Sequence, residues 1–299
     1  MRHYSKLCVR IFYKAFVLAD KFFSENPHSA SPQTVSKHST DFTAETNYKN
    51  IIMEKIKNNG STIAVIILCS LLSSCLMIKQ SSDKNGIPTA GLIAYYPFNQ
   101  NAIDMSGNNN NGKVNGAILT SDRNGNEKSA YTFDGVNDFI YVPDSEILRI
   151  TGQITISAWF KTDYALAFAG IVCKAEPREP RHGYLIDIND NNKVRIDVIN
   201  DHSKGIGGTL VSDNDLTDNK WHHVLFCYDG KLLKLYIDGT LEKELFYDKG
   251  LQANGEPLLI GWDESTWLSH RHFKGSLDDI RIYNRALNKK EIVRLFKEN

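Results

Sequence analysis

Two neighbouring carboxylates, Asp278 and Asp279 in GSLDDIRIY, are the first residues of this 299-residue chain to suggest chemistry. Paired acids serve glycoside hydrolysis, one as acid and one as nucleophile or base. Successive side chains on a strand point to opposite faces. These two are therefore expected to diverge, Asp279 turning toward Arg281 or Arg285, and not to flank one sugar bond. His222 and His223 in WHHV diverge for the same reason, with Trp221 beside them in packing. His270 and His272 in HRH share a face at i and i+2, but no third metal ligand accompanies them, and loop histidines are the plainer reading. The sequence holds no Gly-x-Ser-x-Gly elbow, no glycine-rich phosphate loop, no dinucleotide fingerprint and no Cys/His zinc spacing.

Binding chemistry is better represented. Sugar rings present apolar C–H faces that stack on flat side chains, while their hydroxyls need polar partners. The segment GWDESTWLSHRHF sets Trp262 and Trp267 among Asp263, Glu264, His270 and Arg271, and DYALAFAG adds Tyr164 and Phe168. Trp262, Asp263, Trp267, Arg271 and Tyr164 form the expected ligand-binding set; the plainer alternative is tryptophan buried in a core. In AIDMSGNNNNG, Asp104, Ser106, Asn108 and Asn110 alternate like the front of a calcium loop. It is not an EF-hand, because Asn109 replaces the glycine at the sixth position and Asn115 the glutamate at the twelfth.

The elements that must position these residues are short strands. In ITISAWFK, Ile154, Ile156, Ala158 and Phe160 share one face, with Thr155, Ser157, Trp159 and Lys161 on the other. KVRIDV groups Val194, Ile196 and Val198 opposite Lys193, Arg195 and Asp197, and KLLKLYID groups Leu233, Leu235 and Ile237. This period of two is the strand signature. Asp229-Gly230 and Asp238-Gly239 are tight-turn dipeptides. The pattern from Gly91 onward predicts an all-β sandwich or barrel. One C-terminal helix is expected, capped by Asn288 with Glu291 three residues on, and Ile292, Leu295 and Phe296 as its apolar stripe.

The N-terminal third reads differently. From Met53, Lys55 and Lys57 precede the apolar run Ile63–Leu72, and small residues lead to Cys75. That order is a secretory signal, and Leu72-Ser73-Ser74-Cys75 resembles the bacterial lipobox, whose cysteine is lipidated. The apolar run is shorter than the roughly 18 residues a spanning helix needs. Residues 53–75 are thus expected to be a lipoprotein signal peptide and 76–90 a tether. Residues 1–52 are expected to be a mispredicted, disordered extension, with a long genuine leader as the alternative. The protein is then lipid-anchored in the bacterial cell envelope, at the outer membrane. Lys+Arg and Asp+Glu are equal at 35 each, with no basic block, so nucleic acid is not an expected partner. Cys173 and Cys227 can pair in an oxidising compartment; their apolar surroundings fit two buried free thiols better.

AYYPFNQNAIDMSGNNNNGKVNG, AYTFDGVNDFIYVPDS, ITISAWFK, WHHVLFCYDGKLLKLYIDGTL and FKGSLDDIRIYNRALNKKEIVRLF follow one another in order. Together they resemble the laminin-G-like jelly roll of the concanavalin A-like lectin/glucanase superfamily, over residues 91–299. The resemblance implies a jelly-roll β-sandwich of two antiparallel sheets, with ligands on a concave face or its rim loops. It also implies one structural calcium joining the first strand region to the last, held by Asp104, the stretch Gly107, Asn108 and Asn110, and Asp278. Retaining glucanases of this fold carry Glu-x-Asp-x-x-Glu on one strand; YLIDINDNN and EKELFYDKG both lack it. The expectation is a non-catalytic domain that binds a glycan, with an envelope glycosidase or a module that binds an envelope or extracellular protein as alternatives.

Overall fold

The computed structural model describes residues 86–164, 167–265 and 271–298. Met53–Cys75, with the lipidation residue Cys75, lies outside the described residues, as do Trp267 and His270. Two antiparallel sheets form the fold. One runs β13 (Thr240–Phe246), β12 (Leu232–Ile237), β11 (Trp221–Tyr228), β6 (Ile154–Lys161), β15 (Lys274–Tyr283), β4 (Ala130–Asp134) and β3 (Ile118–Thr120). Its eighth strand, β1 (Leu92–Tyr96), pairs with the C-terminal half of β15, whose N-terminal half pairs with β4. The other sheet runs β10 (Ile206–Val211), β9 (Val194–Asp201), β8 (Gly183–Ile188), β7 (Ala169–Ala175), β14 (Leu258–Ile260), β5 (Phe139–Val142) and β2 (Lys113–Asn115). This is the expected jelly-roll sandwich.

The period of two places the core. Ile154, Ile156, Ala158 and Phe160 meet Val194, Ile196, Val198, Leu233 and Leu235 in one apolar cluster, fed by both sheets. The hairpins follow from their turn residues. Asp238 and Gly239, joining β12 to β13, both take positive φ (48° and 73°), as a two-residue hairpin turn of the I′ type requires. In the β11–β12 connection, the Asp229 carboxylate accepts from the N–H groups of Lys231 and Leu232.

The reverse face of β6 departs from simple alternation. Thr155, Ser157 and Trp159 are buried, like the core residues between them. The reason is α1 (Lys289–Phe296), which lies over this face of the larger sheet. Its capping box is complete: Asn288 accepts from Lys290 and Glu291 N–H, and Glu291 accepts from Asn288 N–H. Ile292 and Leu295 join Leu225, Cys227, Tyr236 and Tyr283 in a second apolar cluster, and Phe296 stacks on Trp159 at 5.7 Å. Burying each such aliphatic side chain contributes about 1.5–3 kcal/mol. Ile87 belongs to the same cluster, and Pro88 and Ala90 carbonyls accept from Tyr283 and Arg285. Residues 87–90, expected at the end of a tether, are therefore part of the fold.

Candidate functional site

The outward positions of the seven-stranded sheet carry charge. Arg195 on β9 stands directly opposite Asp187 on β8, and cross-strand neighbours of opposite charge pair. Its Nε donates to Asp187 Oδ1 at 2.9 Å, its Nη2 to Asp187 Oδ2, and its Nη1 lies 2.9 Å from Asp197 Oδ2. Thr209 on β10 donates to Asp197 in turn. Complete burial pushes the Asp187 carboxyl up to about 6 against the pull of Arg195. Beside these charges sits a small apolar floor of Cys173, Ala175, Leu185 and Ile199.

Two stems converge on this face beyond β14. Trp262 and His272 form an isolated antiparallel bridge, and Gly170 on β7 donates its N–H to the Arg271 carbonyl at 3.0 Å. Gly170 permits the approach: a Cβ there would meet Asp263 N and the Trp262 carbonyl carbon, both at 2.5 Å. Neighbours along each extended stem face opposite ways. Asp263 and Arg271 point toward the charged face, and Trp262 and His272 stack on each other at 5.0 Å, nearly parallel, with Phe139 against Trp262. Asp263, 1% exposed, is shared by Arg181 Nη2 at 2.5 Å and Arg271 Nη1 at 2.6 Å, and accepts from the Cys173 thiol at 3.3 Å. Burial, then Asp263, holds the Cys173 thiol well above its usual range.

Over these groups opens a cavity of about 340 Å³, within the size range of small-ligand sites. Arg181, Arg195, Arg271, Asp197 and Ser265 line it, with Glu179 and His202, which pair with each other, among its other lining residues. Phe168 forms an aromatic wall. The guanidiniums of Arg195 and Arg271 lie 4.7 and 5.1 Å from its ring centre, and its backbone takes φ of 60°, a conformation bulky residues rarely adopt. Such backbone strain concentrates at ligand sites.

The sequence-expected binding residues divide. Asp263 and Arg271 are brought together at the cavity. Trp262 is half-buried on the other side of its stem and does not line it. Tyr164 is exposed, with the Lys274 ammonium 5.4 Å from its ring, and also lies off the cavity. Arg181, Arg195, Asp197 and Ser265 went unrecognised in the sequence. The available signal was charge at outward positions of adjacent strands, which reads equally well as a solvated face.

Asp278 and Asp279 do not diverge. Both carboxylates lie 2.6 Å from Nη1 of Arg123. A register shift between Asp278 and Arg281 and a φ of 47° at Asp279 form a bulge that turns both to one side. Asp279 also contacts Arg281, as expected, and accepts from Tyr95. Burial and the neighbouring Asp279 push Asp278 up to about 8. Arg123 occupies the space between the two carboxylates, where a scissile bond would sit.

The loop members of the expected calcium set lie in one hydrogen-bond network. Asp104 accepts from the N–H groups of Tyr95, Ser106 and Asn110 and from the Ser106 hydroxyl. The Asn110 side chain donates to the Ile93 carbonyl and accepts from Ser145, and Asn108 donates to the carbonyls of Leu92 and Ile93. Gly107 takes a φ of 90° in the same loop. Among the described residues Asp104 and Asp278 share no hydrogen-bond partner. Among the described residues no three His, Cys, Asp or Glu side chains are grouped to hold a metal ion.

Two antiparallel sheets, a helix closing one outer face and a charged cavity on the other define a jelly-roll sandwich with a ligand-sized site. The chain belongs to the concanavalin A-like lectin/glucanases superfamily: a laminin-G family model matches residues 134–293, just over half of its length. No curated protein matches it. Among solved structures it is similar to the binding domain of Paraclostridial Mosquitocidal Protein 1, with a TM-score of 0.57 and 21% identity over 70% of this chain and 52% of that one. It is similar to domain 4 of the GH43 extracellular arabinanase AbnA from Geobacillus stearothermophilus in complex with arabinotriose (TM-score 0.53, 20% identity, 68% and 97% covered). The ligand binding domain of botulinum neurotoxin serotype D in complex with N-acetylneuraminic acid is a third (TM-score 0.54, 18% identity, 70% and 51% covered). The chain spans about half the length of the mosquitocidal and neurotoxin chains. At these identities the likeness is one of fold.

Proposed function

We propose that this chain is a non-catalytic glycan-binding module of a lipid-anchored envelope protein, and that the glycan enters the cavity walled by Phe168. The observation that carries this reading is the composition of that cavity. It joins an aromatic wall to guanidinium donors and carboxylate acceptors held rigidly by one another, the mixture of apolar and polar contact that a sugar requires. Arabinotriose on the arabinanase domain and N-acetylneuraminic acid on the neurotoxin domain support a saccharide as the ligand class. Arg123, wedged between Asp278 and Asp279, supports binding over hydrolysis. The test is a glycan array with the full chain, followed by titration of Phe168→Ala. Losing an anchoring side chain should weaken binding about tenfold or more while the variant still melts cooperatively. A stable wild-type chain that binds no glycan would favour a protein ligand instead. The anchor rests on Leu72-Ser73-Ser74-Cys75 behind an apolar run; Cys75→Ala is expected to release the protein from the membrane fraction of its host.

A further inference from the structure

We infer that the cavity selects acidic sugars, with a carboxylate of the ligand completing the Arg181–Asp263–Arg271 cluster. The inference rests on the glycan-binding reading and narrows it to a ligand class. Its basis is an uneven distribution of charge within the cavity. Arg195 is balanced by two carboxylates, Asp187 and Asp197. Arg181 and Arg271 share only one, Asp263. Both arginines are 7% exposed, so the second positive charge is not dispersed in water. The other acids of the cavity are engaged by other groups, Asp187 and Asp197 by Arg195. Cys173 is a buried thiol that donates to Asp263. Glu179 lines the cavity, but its carboxylate is held by His202 and accepts the Arg181 backbone N–H.

The unused hydrogen bonds repeat the pattern. Nε of Arg181, Nε of Arg271 and Oγ of Ser265 are buried without a partner among the described residues. All three belong to cavity-lining residues; the two Nε groups can only donate, and the Ser265 hydroxyl can donate as well as accept. The cavity's three arginines are matched in number by Asp187, Asp197 and Asp263, but its unused donors sit at the end where two guanidiniums share one carboxylate, and that end lacks an acceptor. A planar carboxylate matches the guanidinium fork, which binds it through two parallel bonds. A carboxylate on a sugar ring also brings the hydroxyls and C–H surface that the remaining cavity, with Phe168 and Asp197, can meet.

Isothermal titration of the full chain with matched sugars tests this. The acidic probes are trigalacturonate and 3′-sialyllactose; the neutral counterparts are galactotriose and lactose. At least one acidic probe should bind about tenfold or more tighter than its neutral partner, because a hydrogen bond to a charged group exceeds a neutral one by roughly that factor. The preference should shrink as salt is raised and disappear in Arg271→Gln, which leaves Asp263 paired with Arg181. Equal binding of acidic and neutral sugars by the wild-type chain overturns this inference while leaving the glycan-binding reading intact. Binding of no sugar at all overturns both. The wild-type comparison decides the matter even where the variant fails to fold.

Discussion

Replacing Asp263 by asparagine tests whether the ion cluster under the cavity is as enclosed as its geometry indicates. The substitution preserves shape and one acceptor oxygen but removes the negative charge. Asp263 is 1% exposed and stands within 2.6 Å of both Arg181 and Arg271. Asparagine can hold one guanidinium, yet both charges then stand without a counterion in a site that water reaches poorly. Breaking a buried pair by removing one partner costs about 3–5 kcal/mol. The retained acceptor oxygen places Asp263→Asn near the lower end, about 3 kcal/mol, which for a domain of this size lowers Tm by roughly 6–12 °C. The matched control is Asp163→Asn, whose carboxylate is 61% exposed and 3.8 Å from Lys274. A surface pair of that kind contributes about 0–1 kcal/mol. Removing one of the stranded charges as well, in Asp263→Asn/Arg181→Met, should recover part of the loss. Calorimetry of the three variants measures all of this. An Asp263→Asn protein melting within about 2 °C of wild type would refute the argument, because it would mean that water screens the cluster.

Three further outcomes are expected. His223 is fully buried, with Nε2 2.8 Å from Ser157 Oγ, and burial lowers its pKa to about 3. The neutral ring is thus favoured in the folded state. Its contribution to stability is complete above about 6.5 and is lost as pH falls from there toward 3, about 2 kcal/mol by pH 5. Asp278, with its raised pKa, acts in the opposite direction, so the measurement compares wild type with His223→Gln: wild type should lose about 2 kcal/mol more between pH 7 and 5, and equal losses would contradict the assignment. Gly170→Ala should destabilise by about 1–3 kcal/mol through collision with the Trp262–Asp263 backbone, read by denaturant unfolding; a neutral effect would show that the stems do not approach as described. The calcium expected at Asp104 and Asp278 should make Tm fall in chelator and recover with added calcium; a melting curve unchanged in chelator would remove that expectation.

The local periodicities of the sequence determined the strands, their inward faces, the Asp238–Gly239 hairpin and the Asn288 capping box. Each of these depends on residues within a few positions of one another, through side-chain alternation, glycine φ and short-range hydrogen bonds. What lay further apart in the chain was decided only by tertiary structure. Thr155, Ser157 and Trp159 are outward by period, yet they are buried because a helix more than a hundred residues later covers them. Asp278 and Asp279 alternate by sequence, yet they converge because a bulge turns one of them and Arg123, from a distant loop, draws both together. Asp263 and Arg271 were legible as polar residues near aromatics. Arg181, which pairs with Asp263, and Arg195, which shares the Phe168 ring with Arg271, come from segments tens of residues away, and a single sequence cannot distinguish an outward arginine that meets water from one that meets a carboxylate. That distinction is made by sheet register, which sets Arg195 opposite Asp187, and by the absence of a side chain at Gly170, which lets the stem bearing Asp263 close over the sheet.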